Sequence, residues 1–151
     1  MPADRPRIDP RGPRFGAGIT AVLLLVDLFL ALTGGRAAAV VLLAVICAVF
    51  AWGASAGIGR HPYGLLFRRF VRPRLAPPAE LEEAAPPTFA QGVGFAITLL
   101  GVVAGLLGAT GALLVLTALA FVAAFLNSVF GYCLGCRVYV LLLRARVIRP
   151  A

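Results

Sequence analysis

Four apolar runs, at about residues 16–33, 37–58, 90–109 and 111–130, constrain this chain more than any other feature. Each approaches the roughly 20 residues that an α-helix needs to cross about 30 Å of hydrocarbon. Only Gly34-Gly35-Arg36 separates the first two, and little more than Thr110 separates the last two, so each pair reads as a tight hairpin. The chain is 61% apolar, above the roughly 45–50% usual in soluble domains. A soluble fold of this size has too much exterior to hide that surface. The expectation is an all-α membrane protein, with residues 1–151 as one membrane domain of four transmembrane helices.

Charge sets the orientation. The 14 arginines, with no lysine, face six acidic residues for a formal +8. Thirteen of the 14 lie in the leader, the central loop or the tail, and only Arg36 lies in an opposite-side turn. By the positive-inside rule both termini and the loop 59–89 are then cytoplasmic, in a multi-pass protein of the inner or plasma membrane. Because the basic residues flank apolar spans and form no stripe among aromatics, the partner they imply is the lipid bilayer, and no nucleic acid. The leader, 1–15, carries Pro2, Pro6, Pro10 and Pro13 and reads as unstructured, with no cleavable signal pattern. Within the loop, 63–71 reads as a short amphipathic helix with Leu66, Phe67 and Phe70 toward lipid and Arg68, Arg69 and Arg72 toward headgroups. A second short cytoplasmic helix should follow the fourth span, through 138–146.

The two hairpins resemble each other. Pro13-Arg14-Phe15-Gly16-Ala17-Gly18 lies over Pro87-Thr88-Phe89-Ala90-Gln91-Gly92 at an offset of 74, which also lays Gly34 over Gly108. The halves 13–73 and 87–150 end alike, in Phe70-Val71-Arg72-Pro73 and Val147-Ile148-Arg149-Pro150. This is the pattern of a tandem duplication. Both copies start on the same side, so they are parallel repeats about an axis along the membrane normal.

Cys133 and Cys136 carry the chemistry that stands out. On a helix, residues i and i+3 share a face with Cβ atoms about 5–6 Å apart, slightly wider than the ~3.5–4.5 Å of a disulfide. Gly131 and Gly135 give freedom to tighten, and a helix starting near Cys136, together with Arg137, would favour thiolate. Redox or sulfur chemistry, small-residue packing and metal ligation shared by two chains all remain open for a single Cys-x-x-Cys. The chain alone supplies too few ligands for a metal site. His61 is the lone histidine, and the repeat places Arg60-His61 across the axis from the thiols, where an imidazole could move a proton. A loop histidine before a proline-set turn is the plainer account. Asp27 lies inside the first span, where an ionisable group is a functional candidate for transport or proton movement, or is simply satisfied by a hydroxyl such as Thr117. Cys47 reads as core. No cofactor motif is present: there is no phosphate loop, no paired catalytic carboxylates and no serine nucleophile.

The Asp9-Pro10-Arg11-Gly12-Pro13-Arg14-Phe15 entry, the His61-Pro62 loop and the Gly131-Tyr132-Cys133-Leu134-Gly135-Cys136 exit resemble the bacterial membrane family catalogued as domain of unknown function 4395, over about residues 8–149. The resemblance implies a four-helix membrane protein without assigned activity, whose relatives often accompany thioredoxin-like and sulfurtransferase proteins. The expectation is a thiol-disulfide or sulfur-relay partner at the cytoplasmic face. The alternatives are a small transporter or channel for a sulfur species, built as a homodimer because four helices leave little room for a path, and a scaffold that docks a cytoplasmic enzyme.

Overall fold

The computed structural model describes residues 6–149. In chain order they form strand β1 (Arg7–Ile8), helices α1 (Arg11–Leu32), α2 (Arg36–Ala56) and α3 (Pro62–Leu66), strand β2 (Glu82–Glu83), and helices α4 (Ala85–Leu106), α5 (Thr110–Phe130) and α6 (Leu134–Arg144). The protein is all-α in its architecture, and α1, α2, α4 and α5 are long and apolar enough to cross a membrane. After α3 the chain continues through a π-helical turn, Phe67–Val71, and a 3-10 turn, Arg72–Arg74.

The spans start earlier than their apolar runs. α1 begins at Arg11 and α4 at Ala85. Pro13, Pro86 and Pro87 fall within the first turns, where a missing N–H removes no helical hydrogen bond. The Asp9 carboxylate accepts the backbone N–H of Arg11 at 3.0 Å and also holds the Arg11 guanidinium at 2.8 Å. The leader expected to be unstructured through residue 15 is therefore ordered from this point, while residues 1–5 lie outside the described part. β1 pairs antiparallel with β2, Arg7 opposite Glu83, which ties the entry of the first hairpin to that of the second.

The duplication is visible in the backbone. Both bounds of α1 and of α2 recur 74 residues later in α4 and α5. The left-handed turns recur at the same offset, with Gly34 (φ +89°) matching Gly108 (φ +81°) and Gly57 (φ +82°) matching Gly131 (φ +66°). Only glycine takes such values without strain. Packing follows the same symmetry, since α1 lies mainly on α5 and α2 mainly on α4. Each hairpin also folds a short helix back on its own entry: Phe67 stacks on Phe15 with centroids 5.8 Å apart, and Tyr139 of α6 on Phe89 at 5.5 Å.

Leu24, Leu43 and Leu113 are fully buried at the centre, from three different helices. Asp27 is buried beside them, and the Thr117 hydroxyl of α5 donates to its Oδ2 at 3.3 Å. The second oxygen, Oδ1, has no hydrogen-bond partner among the described residues. Val22, Phe29, Val41, Trp52, Leu100 and Val115 project outward, as the lipid-facing surface of a membrane bundle requires. Phe67, expected to face lipid, is instead 3% exposed and packs on Gly12 of α1, while Leu66 and Phe70 remain outside. Gly12 has no side chain and so leaves room for the Phe67 ring against α1, which burial of a large apolar group favours.

Candidate functional site

α5 stops where Gly131 turns left-handed, and Arg14 of α1 reaches this end, its guanidinium donating to the Val129 carbonyl at 3.5 Å. A cation at the C-terminus of a helix complements its dipole. The chain then restarts as α6, with Cys133 as the N-cap in extended conformation (φ −84°, ψ 104°). The Cys133 Sγ accepts the backbone N–H of Cys136 at 3.3 Å.

The two cysteines do not both lie on a helix. Cys133 is outside α6 and Cys136 inside it, with their Cα atoms 5.2 Å apart. That separation lies within the roughly 4.4–6.8 Å that disulfides span, and the two sulfurs face each other as a pair. Gly135 between them lies against α4, where a Cβ would come within 2.6 Å of the Ala90 Cβ and 2.7 Å of its Cα. Arg137 lies over the Tyr132 ring at 5.1 Å.

Both cysteines are on the wall of a half-open cavity of about 590 Å³ formed where the ends of all four spans meet the short helices. It extends inward to Thr20, Gly94 and Ala120, and Thr20 is roughly 14 Å along α1 from Arg11 at 1.5 Å per residue. Beyond them the Leu24, Leu43 and Leu113 cluster fills the bundle.

His61 and Arg137 share this wall with the thiols; Arg60 and Asp27 do not line it. His61 is 4% exposed and caps α3, its Nδ1 accepting the Tyr63 N–H at 3.3 Å. Its ring lies against Gly53 of α2, as does the Gln91 side chain of α4. Burial holds the imidazole below its ordinary range, and the neighbouring Gln91 side chain opposes the effect. Gln91 Oε1 is itself buried and makes no hydrogen bond within ordinary distance and angle limits among the described residues, although it lies close enough to favour the imidazolium. At the mouth, the hydrogen bond from Arg11 keeps the Asp9 carboxyl below the usual carboxylate range despite partial burial. Cys47 lies away from the cavity, 6% exposed, with its thiol 3.9 Å from the Phe95 carbonyl.

The sequence reading missed Gln91 and Asn127, which also line the cavity. The signal was there, since each is a side-chain amide inside an apolar run, where an unshared polar group is costly. It also assigned Arg68 and Arg72 to lipid headgroups alone, whereas both line the cavity. No group of three or more His, Cys, Asp or Glu side chains converges as a metal site among the described residues.

No curated protein and no solved structure matches this chain. The match that exists is to a family model, and it spans residues 8–144, which include the cavity, the His61-Pro62 loop and both cysteines. This integral membrane protein belongs to the family described as Domain of unknown function (DUF4395).

Proposed function

We propose that the protein is a membrane-embedded thiol-disulfide exchanger, with Cys133 and Cys136 as the working pair. The observation that carries this reading is the placement of two paired cysteines, Cα atoms 5.2 Å apart, on the wall of an open cavity, one of them at a helix N-terminus. In the reduced pair, the Cys136 N–H and the α6 dipole favour a thiolate at Cys133. That thiolate attacks a disulfide of a soluble partner; the partner's S–S bond breaks, its distal sulfur leaves as thiolate, and a mixed disulfide forms. Cys136 then attacks the Cys133 sulfur, which releases the partner as a dithiol and closes the Cys133–Cys136 bond. Two electrons pass from the pair to the partner, and the reverse sequence oxidises a dithiol partner.

A thioredoxin-like or sulfurtransferase protein is the class of partner with the matching chemistry. The arginine distribution supports a cytoplasmic position for the pair, both termini and the central loop at the plasma membrane, where the pair would be mostly reduced and its disulfide transient. His61 shares the cavity and is available to take or return a proton. The bundle closed by Leu24, Leu43 and Leu113 favours a one-sided site over the transporter alternative.

The test is capture. The Cys136→Ser variant should hold a soluble thiol protein as a mixed disulfide on Cys133 under non-reducing conditions, and Cys133 should react with a maleimide faster than buried Cys47. A cytoplasm-active reporter fused after Ala151 should give signal. Recovery of no thiol-linked protein from Cys136→Ser or Cys133→Ser, with alkylation no faster than at Cys47, would refute the exchange.

A further inference from the structure

The cavity gathers more positive charge than its own carboxylates offset. Arg7, Arg14, Arg68, Arg72 and Arg137 line it, against Asp9 and Glu82. Arg7 is set aside because its residue pairs with Glu83 across the strands. Asp9 is held by Arg11, which does not line the cavity. Four arginines from four separate elements thus line one half-enclosed space, against Glu82 and the share of the Asp9 charge that Arg72 feels.

Three of the four are held in place by contacts that leave most of their donors unspent. Arg14 donates to the Val129 carbonyl at 3.5 Å and Arg68 to the Gly59 carbonyl at 2.8 Å, while Arg137 stacks over Tyr132. A guanidinium has five N–H donors in a fixed fork. Each of these is anchored through an uncharged group, and an arginine with donors to spare is suited to bind an oxyanion. Like charges converging on a cleft with low-dielectric walls repel one another and focus a positive potential that a bound anion relieves. Deeper in the cavity, Gln91 and Asn127 add amide groups below the arginines.

We infer that this cavity binds a phosphate-type oxyanion on Arg14, Arg68, Arg72 and Arg137, presented either by a free anion or by the headgroup of an anionic lipid. The site needs the arginines and not the thiols. It stands whether or not the cysteine pair exchanges disulfides.

The experiment measures equilibrium binding of radiolabelled inorganic phosphate to the full chain in neutral detergent. In parallel, native mass spectrometry reads lipid retained after reconstitution in phosphatidylcholine vesicles with and without phosphatidylglycerol. Saturable phosphate binding, weakened about tenfold or more in Arg72→Gln and in Arg137→Gln, identifies a free-anion site. Selective retention of phosphatidylglycerol, lost in the same variants while phosphate fails to bind, identifies a headgroup site. Arg69→Gln and Arg144→Gln, whose arginines do not line the cavity, should leave either signal unchanged. The Cys133→Ser/Cys136→Ser variant should keep it too, so failure of the exchange reading is separable. Circular dichroism confirms that each variant is folded; because Arg72 and Arg137 come from different elements, either one suffices. Absence of both phosphate and phosphatidylglycerol binding overturns the inference, as does equal weakening in the control variants.

Discussion

Substituting Gly135 by alanine tests whether the site depends on the close approach of α6 to α4. The new Cβ would lie 2.6 Å from the Ala90 Cβ and 2.7 Å from its Cα, against the roughly 3.5–4.0 Å at which carbon atoms rest. About 1 Å of retreat is therefore needed, and the Cα is backbone, so no rotamer change can supply it. Overpacking of this kind costs about 1–3 kcal/mol, while the helical preference of alanine over glycine returns about 0.5–1 kcal/mol. The net expectation is a loss of roughly 1–2 kcal/mol. Gly92 is the control, since a Cβ there meets nothing within 4 Å, and Gly92→Ala should stabilise by about 0.5–1 kcal/mol. Thermal unfolding in detergent, followed by circular dichroism, should move in opposite directions for the two. Adding Ala90→Gly to Gly135→Ala removes the Cβ clash but not the Cα clash, so rescue should be partial. A Gly135→Ala protein as stable as the wild type, or stabilised like Gly92→Ala, would refute the packing argument. Because the substitution also pushes on the turn between the cysteines, capture of a mixed disulfide should fall with it.

Thr117→Val should destabilise by about 1–3 kcal/mol, because it removes a donor from a buried carboxyl; the double variant Asp27→Leu/Thr117→Val should recover most of that loss, and thermal unfolding of the three proteins decides. For His61 the folded chain binds a proton less readily than the unfolded chain, so this residue's contribution is intact above an unfolded value of about 6.5 and is lost progressively as pH falls below it. Between about pH 7.5 and 5 the wild type should lose more thermal stability than His61→Gln, and equal slopes would remove the burial argument.

What could be read in advance was what repeats locally. A run of some 20 apolar residues has one solution in a bilayer, so the spans and their hairpin pairing follow from composition alone. Thr117 could be named as a partner for Asp27 because a hydroxyl deep in a span has few other uses. The cavity had no such local trace. It exists where four helix ends and two short helices converge; Gln91 stands out as an amide in an apolar run, but neither it nor Arg72 signals in its own stretch that it will share a cavity with Cys133. The geometry of the pair was hidden as well, because a regular helix through Cys133 and Cys136 puts them slightly too far apart. The chain instead leaves Cys133 outside α6 as its N-cap, two residues after the left-handed turn at Gly131. Phe67 was misplaced because nothing in its own stretch shows that its ring will lie against Gly12 of α1.

The contact between Asp27 and Thr117 links residues 90 positions apart, and this bears on how the protein is made. During synthesis the first hairpin is complete before α5 has been translated. Its one acidic side chain must then wait in or near the bilayer without the hydroxyl that will receive it, held by water or headgroups at some cost. Arrival of the second hairpin ends the wait, and with it the chance for the first to drift away alone. An acidic residue that adds little to packing can thus act as a check on completeness. A truncated chain lacks the Thr117 hydroxyl at either carboxyl oxygen, whereas the finished chain satisfies Oδ2.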